Sequence, residues 1–331
     1  MAHLIKNSCK TDERLELYKL RGIQKLSFEE IGPRMHRSAS PLSRELRRNA
    51  ADAGLYLPDT AQQKQQPRRQ TAKTRFQAVG EEILTEIKTR LEQCHSPAQI
   101  SGSLKRVGKA SISHETIYQM LDDDYPGLGR FHQYLRQARS RRKPRKAPTA
   151  NSGGIINRVG IENRPVIADA KTKIGHWESD TIIGGNHLGV IVTHVDKASK
   201  YLVAGLGRNK TAEVINQVTL GLFSEIRALD RKTMTFDNGK EFSGHATIAK
   251  ALGVQCFFAR PYHSWERGLN EHTNGLLRQF FPKGTNFKIT KPVELQRAVD
   301  LINHRPRKSL DYRTPHEVFY EHTSDSVALQ I

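Results

Sequence analysis

The sequence predicts a multidomain protein in which N-terminal all-α modules precede an α/β domain built on a mixed five-stranded sheet. Three observations support this prediction. Short, capped, amphipathic segments fill the first 125 residues, and an alternation of strands and helices begins near residue 174. Two polar, basic stretches separate these regions. A chain of 331 residues also has room for two or three domains.

The excess of positive charge indicates a polyanionic partner. The chain carries 53 Lys and Arg against 34 Asp and Glu, a net charge of +19, and about two thirds of the excess precedes residue 151. A surplus of this size most often serves nucleic acid. No apolar run is long enough to predict a membrane span. Three scattered cysteines without a CxxC pair fit a reducing cytoplasm.

Composition divides the chain at two basic linkers. The stretch at 60–74 is nearly devoid of apolar residues, and the run RSRRKPRK at 139–146 leads into a segment rich in Pro, Ser and Gly. The predicted organisation, in chain order, is a helix-turn-helix domain at 1–58, a basic linker at 59–77, a second helix-turn-helix-like domain at 78–125, a basic linker at 126–159, an α/β domain at 160–322 and a tail at 323–331.

The first domain contains three predicted helices, of which the third is basic. Residues 11–21 are amphipathic, residues 27–35 begin with a capping box, and residues 38–48 carry three arginines. This is the pattern of a helix-turn-helix, whose third helix enters the major groove of DNA. The alternative is a small helical bundle whose arginines face solvent. The predicted DNA contacts are Ser40, Ser43, Arg44, Arg47 and Arg48.

The second domain repeats this arrangement. Helices are predicted at 81–92, 96–104 and 111–121, and the last begins at a capping serine. A dimerisation or spacer domain is the alternative to a second DNA-reading module. As a DNA-reading module, the second domain has the predicted contacts Ser113, His114 and Thr116. The basic linker that follows it adds Arg141 and Arg142.

The α/β domain has a characteristic order of elements. Strands joined by tight turns predict an antiparallel meander, and a strand after a helical crossover should lie parallel to its neighbour. The resulting order, β-β-β-α-β-α-β-α, is that of a ribonuclease H-like fold, in which the first and fourth strands are adjacent. The predicted strands are 181–185, 187–196, 200–207, 232–237 and 254–259, and the predicted helices are 211–226, 243–251 and 269–281.

Three acidic residues occupy informative places in this order. Asp180 immediately precedes the first strand, Asp237 ends the fourth, and Glu271 lies in the helix after the fifth. Three converging carboxylates repel one another unless a cation joins them, and hard oxygen ligands suit Mg²⁺ or Mn²⁺. Two such ions can support phosphodiester cleavage or transfer. Each acid alone has a structural alternative, and Asp196 competes with Asp180.

Longer motifs resemble a known family. WESD at 177–180, TFDNGKEF at 235–242 and SWERGLNEHTNGLLRQFFPKGT at 264–285 resemble the three catalytic blocks of DDE transposases of the IS-thirty insertion-sequence family. The 33 residues between the second and third acids match the spacing of that family. The segments at 26–49 and 300–319 also resemble it. The chain departs from the family pattern at Pro33, His36, Ser179 and His272.

This resemblance implies an activity, a cofactor and partners. It implies cleavage of the ends of a mobile element and their joining to target DNA, with two Mg²⁺ or Mn²⁺ ions held by Asp180, Asp237 and Glu271. The implied partners are double-stranded DNA, both terminal inverted repeats and target, and further copies of the chain in a homodimer or larger oligomer. The implied location is the bacterial cytoplasm, in association with the nucleoid.

Two other functions remain open at this stage. One is a DNA-binding regulator that has lost catalysis, and the other is a metal-dependent nuclease without strand transfer. A retroviral-type integrase is disfavoured because its His/Cys zinc domain needs a cysteine pair.

Polar residues around the third acid are predicted to assist. Glu271, Asn274 and Arg278 share one helical face, so the last two could hold a phosphate near the metals. Arg267 precedes this helix and is predicted to follow the DNA backbone. The alternative for these residues is a solvated polar face.

Overall fold

The structure is a computed structural model whose described parts form two compact units, Met1–Gly80 and Glu81–Ile331. The described residues are 11–50, 55–73, 76, 79–125, 127–136, 155–260 and 263–328. The predicted contacts Arg141 and Arg142 therefore lie outside the described residues.

The first unit is all-α, as predicted. Its helices enclose a small core of Leu, Ile, Met and Tyr side chains, among them Leu17, Ile31 and Leu42. The helices are α1 (Thr11–Leu17), continued by a π-helical turn (Tyr18–Ile23), then α2 (Phe28–Arg34), α3 (Ala39–Asn49) and α4 (Pro58–Lys73).

The turn between α2 and α3 explains two unusual residues. The predicted capping box is present at Ser27 and Glu30. Helix α2 ends one residue after Pro33, so this proline lies in the last turn instead of kinking a longer helix. His36 then adopts a left-handed φ of +50°, a conformation that glycine adopts more readily. A Cβ atom at Gly32 would lie only 2.7 Å from the Arg37 carbonyl oxygen, so glycine permits this tight turn.

The first predicted linker is helical. Residues 60–74 were expected to form a linker because they are polar, yet α4 covers most of them. Ala61 is fully buried, and Gln62 accepts a hydrogen bond from the buried Arg14 of α1. Arg68 donates to the Arg48 carbonyl near the end of α3 at 2.8 Å and to the side-chain oxygen of Asn49 at 2.9 Å. Gln, Lys, Arg and Ala favour helices. Helix α4 lacks the apolar face by which a helix is recognised in a sequence, and polar contacts hold it in place.

The second unit begins with the predicted three-helix module. Ser96 and Ser113 cap its second and third helices through their hydroxyl oxygens, which confirms the predicted starts. The helices are α5 (Glu81–Glu92), α6 (Pro97–Arg106) and α7 (His114–Asp122).

The start of the second predicted linker also belongs to this module. A 3₁₀ helix covers Gly129–Tyr134, and its Phe131 is buried. The module packs on the α/β part of the same unit. Gln279 donates to the carbonyl of Tyr134 at 2.9 Å, and Arg106 pairs with Glu317 at 3.2 Å. The division of this region into a domain at 78–125, a linker at 126–159 and a domain at 160–322 remains a prediction.

A mixed five-stranded sheet forms the centre of the second unit, as predicted. Its order is β3-β2-β1-β4-β5, with antiparallel pairing within β1, β2 and β3 and parallel pairing from β1 to β4 and β4 to β5. The first and fourth strands are therefore neighbours. The strands are β1 (His176–Ile183), β2 (Val190–Asp196), β3 (Leu202–Gly207), β4 (Thr233–Phe236) and β5 (Gln255–Phe258).

The first strand begins earlier than the sequence predicted. Asp180 was placed just before a strand at 181–185, but it lies within β1, opposite Thr193 of β2. The polar residues Glu178 and Ser179 concealed this part of the strand. Both are buried, and each has a hydrogen-bond partner from a distant part of the chain.

Helices cover both faces of the sheet. One core surrounds Trp177, whose indole N–H donates to the Asp230 carbonyl at 2.9 Å, and the other joins β2 and β3 to the C-terminal helices. No helix among the described residues is both long and apolar enough to span a membrane. The helices are α8 (Val166–Ala170), α9 (Ala212–Phe223), α10 (His245–Leu252), α11 (Gly268–Phe280), α12 (Pro292–Asn303) and α13 (Pro315–Ala328).

Candidate active site

Two of the three predicted acids lie side by side at the carboxyl end of β4, in the middle of the sheet. Asp180 projects from β1, and Asp237 directly follows β4, the parallel neighbour of β1. Asp237 accepts a hydrogen bond from the Gly239 amide at 2.9 Å, which fixes its carboxylate over the following turn. Topology thus brings together two carboxylates that are far apart in sequence.

Arg267 bridges these two aspartates. Its Nη1 lies 3.5 Å from Oδ1 of Asp180, and its Nη2 lies 3.4 Å from Oδ2 of Asp237. Nη1 also donates to the carbonyl of Ser179 at 3.2 Å. The sequence analysis predicted a backbone-tracking role for Arg267. The structure places this guanidinium between the two carboxylates, where one positive charge offsets their repulsion, and a contact with DNA remains a prediction.

Two asparagines of α11 anchor this helix to the strand that carries Asp180. Asn274 donates to Oδ2 of Asp180 at 3.0 Å. Asn270 is fully buried. Its side-chain N–H donates to the backbone carbonyl of Glu178 at 2.8 Å, and its backbone N–H donates to the Glu178 carboxylate. The Thr193 hydroxyl of β2 lies within hydrogen-bond distance of both asparagine side-chain oxygens, 3.1 Å from that of Asn270 and 3.0 Å from that of Asn274. The network sets the position of α11, and hence of Glu271 in its first turn, relative to Asp180.

The electrostatics of the pair favour a cation. Burial raises the pKa of Asp180 above its usual range; Arg267 opposes this rise, and the negative charge of Asp237 adds to it. A carboxylate in this situation binds a positive partner more strongly than an isolated surface aspartate does.

Glu271 is exposed on the first turn of α11, next to the helix start that carries Arg267. Within the described parts of the chain, no group of three His, Cys, Asp or Glu side chains is close enough to form a metal-binding cluster. The two aspartates offer carboxylate oxygen atoms, the ligand type that suits Mg²⁺ and Mn²⁺.

Asp196, the competing acid, has a structural role. It is fully buried at the end of β2, and its carboxylate accepts hydrogen bonds from the amides of Gly175, Ala198 and Ser199 and from the Ser199 hydroxyl. These contacts close the turn between β2 and β3 and leave Asp196 no exposure to a substrate.

Arg278 faces the same strand as Asn274, as the helical spacing predicted. Its Nη2 donates to the carbonyl of Ile183 at 3.0 Å, and its Nη1 donates to the carbonyls that follow α11. These contacts join the end of α11 to the end of β1. A contact between Arg278 and phosphate remains a prediction.

The helical modules present their predicted contacts differently. The five predicted residues of α3 are all exposed, and Arg44 folds back onto the Ser40 carbonyl at 3.2 Å. On α7, Ser113 and Thr116 bond to each other as part of the helix cap, at 2.8 Å, whereas His114 is exposed. Ser113 therefore has a structural role as the cap of α7, and its contact with DNA remains a prediction.

Sequence reasoning missed the roles of Asn270 and Glu241. Glu241 is buried after β4, where it accepts from the Thr181 hydroxyl at 3.3 Å and pairs with Lys210 at 2.7 Å. Asn270 could have been found from its spacing, because it lies four residues before Asn274 and therefore on the same side of α11. No local pattern distinguishes Glu241 from a surface acid.

Known proteins resemble this chain over most of its length. The transposase for insertion sequence element IS4351 of Bacteroides fragilis is 39% identical over 281 residues, which cover 85% of this chain and 86% of that protein. The chain belongs to the IS-thirty (IS30) family of transposases. The resemblance noted in the sequence is thereby confirmed.

Other members of the family match to similar extents. The transposase for IS1086 of Cupriavidus metallidurans is 34% identical and covers 92% of this chain and 91% of its own length. Transposase InsI for IS30A of Escherichia coli is 32% identical, and the match covers 89% of this chain and 79% of that protein. No family model matches the chain. The catalytic core domain of BIV integrase aligns with a TM-score of 0.37 and 20% identity, covering 46% of this chain and 97% of that domain.

Proposed function

We propose that this transposase binds the terminal inverted repeats of an insertion sequence and performs metal-dependent DNA strand cleavage and strand transfer. The observation that carries the proposal is the pairing of Asp180 and Asp237 on one guanidinium, beside the helix that carries Glu271. Two carboxylates held this close, one with a raised pKa, form a site that a divalent cation can occupy.

Each residue then has a definite task. Asp180, Asp237 and Glu271 would hold Mg²⁺ or Mn²⁺, and Asn274 orients the Asp180 carboxylate. Two bound ions would activate the attacking oxygen and stabilise the leaving oxygen of the phosphodiester. Arg267, released from the aspartates, would carry its positive charge to the DNA phosphate.

DNA recognition is assigned to the helical modules. Ser40, Ser43, Arg44, Arg47 and Arg48 form the exposed face of α3 that would enter the major groove, and His114 offers a second contact on α7. Arg141 and Arg142 lie in the basic run that we expect to contact the DNA backbone. Two ends must be held together during transposition, so the active form is proposed to be a homodimer or larger.

A strand-transfer assay tests the proposed function. The purified full chain would be incubated with Mg²⁺, a labelled DNA fragment bearing the inverted repeats that flank this reading frame, and a target plasmid. We expect cleavage at the repeat ends and covalent joining to the plasmid. Cleavage without joining would support the simple nuclease instead, and binding without cleavage would support the silent regulator.

The Arg267→Gln variant tests whether the aspartate pair binds metal. Because the guanidinium and Mg²⁺ would compete for the same carboxylates, we expect Mg²⁺ to raise the melting temperature of this variant more than that of the wild type. The extra shift should be about 2–4 °C if the difference in binding is worth about 1 kcal/mol. Thermal unfolding with and without Mg²⁺ measures it. Arg260→Gln removes an exposed arginine nearby and should behave like the wild type. Equal shifts in all three proteins would contradict a metal site at this pair.

A further inference from the structure

A group of arginines lies beside α11, on the side where the three-helix module packs. We call Arg136, Arg305 and Arg307 the arginine cluster. Arg305 is 2% exposed, and Arg307 is half-buried. A methyl group on Gly275 would lie 3.0 Å from Nη2 of Arg136, so this third guanidinium lies directly on α11.

The cluster has many donors and few acceptors. Nη1 of Arg305 donates to Oε1 of Gln279 at 3.3 Å, and Nη2 of Arg307 donates to the Ile302 carbonyl at 3.4 Å. Among the described residues, Nε and Nη2 of Arg305 and Nε of Arg307 are buried and find no hydrogen-bond partner. In the part of the chain that the structure describes, no carboxylate forms an ion pair with any of the three. Buried charged donors without acceptors are costly, and a ligand that supplied the acceptors would remove this cost.

The positive charges act on one another. The pKa of Arg305 is lowered to about 10, mainly by burial; Cys94 opposes this change and Arg136 adds to it. Burial, followed by Arg305 and Arg136, lowers the pKa of Arg307 to about 10. Both remain charged at neutral pH. The pKa of the buried His95 is lowered to about 3, mainly by burial and further by the nearby arginines, among them Arg305 and Arg307. This histidine is therefore neutral at neutral pH.

We infer that the arginine cluster binds a phosphate group of the DNA backbone and so positions the strand along α11. The inference rests on the proposed function. Glu271, Gly275 and Gln279 follow one another at intervals of four residues, and therefore lie along one side of the helix. The cluster contacts the second and third of these positions, roughly 6–12 Å along the helix axis from Glu271. A strand whose reacting phosphate lies beside Glu271 would bring another phosphate, a few nucleotides away, to the cluster.

Phosphate suits these donors better than a metal or an apolar ligand does. The planar guanidinium presents paired N–H groups that match two phosphate oxygens. The three arginines come from two separate parts of the chain: Arg136 follows the module, and Arg305 and Arg307 lie in the turn after α12. The site is therefore assembled only when the module packs on the α/β part of the unit.

The first experiment measures anion binding without DNA. The melting temperature of the full chain would be compared in sodium phosphate and in sodium chloride at equal ionic strength. We expect phosphate to raise the melting temperature of the wild type and of Lys250→Gln, which loses an exposed charge on α10, but not that of Arg305→Gln. Arg305→Lys keeps the charge without the planar fork and should recover part of the shift. Arg307→Gln, at a less buried position, provides a second test if Arg305→Gln does not fold.

The second experiment separates DNA phosphate from free phosphate. DNA affinity would be measured against salt concentration for the same variants. Loss of one phosphate contact should reduce the slope of log affinity against log salt by about 0.9 in Arg305→Gln, and leave it unchanged in Lys250→Gln. A phosphate effect without a change in slope would overturn the assignment to DNA. If both glutamine variants keep the phosphate-induced rise in melting temperature and the salt slope of the wild type, the site itself is overturned.

These outcomes are independent of catalysis. If the wild type cleaves repeat ends while Arg305→Gln keeps the wild-type slope, the inference fails and the proposed function stands. If the slope changes but the wild type never cleaves, the proposed catalytic function fails and the phosphate site stands.

Discussion

We expect the Asp237→Asn variant to cleave terminal-repeat DNA about 10³-fold more slowly than the wild type in Mg²⁺, or not at all. The amide keeps the size of the side chain and can still accept from the Gly239 amide, but it removes one negative charge from the Asp180–Asp237 pair. Metal ions contribute several kcal/mol of transition-state stabilisation, and each 1.36 kcal/mol corresponds to a factor of ten in rate. Gel analysis of cleaved ends over time measures the effect.

Binding and folding provide the controls for this variant. DNA affinity should stay within a few-fold of the wild type, because the residues assigned to recognition lie on α3 and α7. Glu225→Gln neutralises an exposed acid just after α9 and should cleave normally. Normal cleavage by Asp237→Asn would remove Asp237 from the catalytic site. Loss of both binding and cleavage would point instead to a folding defect.

The sequence predicted those parts of the fold that depend on local signals. Serine caps at Ser27, Ser96 and Ser113 located helix starts correctly, because a cap is formed by residues within one turn. The sheet order followed from the lengths and types of the connections between strands. The resemblance to a family pointed to Asp180 and Asp237, and the structure places these two together.

Contacts between distant segments escaped prediction. The first strand begins at His176 because Asn270 and His194 satisfy the buried polar residues Glu178 and Ser179, and no local pattern reveals partners so far away. The predicted linker at 60–74 is helical for the same reason, since the buried Arg14 provides its partner.

The sequence predicted a DNA contact for Arg267, but it could not reveal the position of this side chain between two aspartates. Its place before α11 suggested a contact with DNA, whereas its contacts with Asp180 and Asp237 depend on how the helix start meets β1 and β4. A positive charge next to paired acids balances them in the absence of other cations. The sequence predicts that Arg267 contacts a phosphate, and the structure shows that it balances the charge of the two aspartates.

We expect deletion of residues 1–80 to abolish the preference for terminal-repeat DNA while the remaining chain stays folded. The second unit begins at Glu81, and both cores that flank the sheet consist entirely of its own residues. The proposed recognition residues Arg44, Arg47 and Arg48 are lost with α3. DNA-binding proteins typically prefer their specific sites by about 10³-fold or more, and we expect most of this preference to disappear. Competition binding between repeat and random DNA measures it.

A point variant separates recognition from the loss of a whole unit. Arg44→Gln combined with Arg47→Gln in the full chain should reduce the preference in the same direction without changing thermal unfolding, because both side chains are exposed and lie outside the helical core. Weak, sequence-independent binding should survive in both proteins, since the second unit retains basic residues such as the arginine cluster. If the truncated chain selects the same ends as strongly as the full chain, the reading of the ends must lie in α5–α7, and His114 becomes the residue to test. A cut at Glu81 keeps that module on the α/β part, where the Tyr134–Gln279 and Arg106–Glu317 contacts hold it.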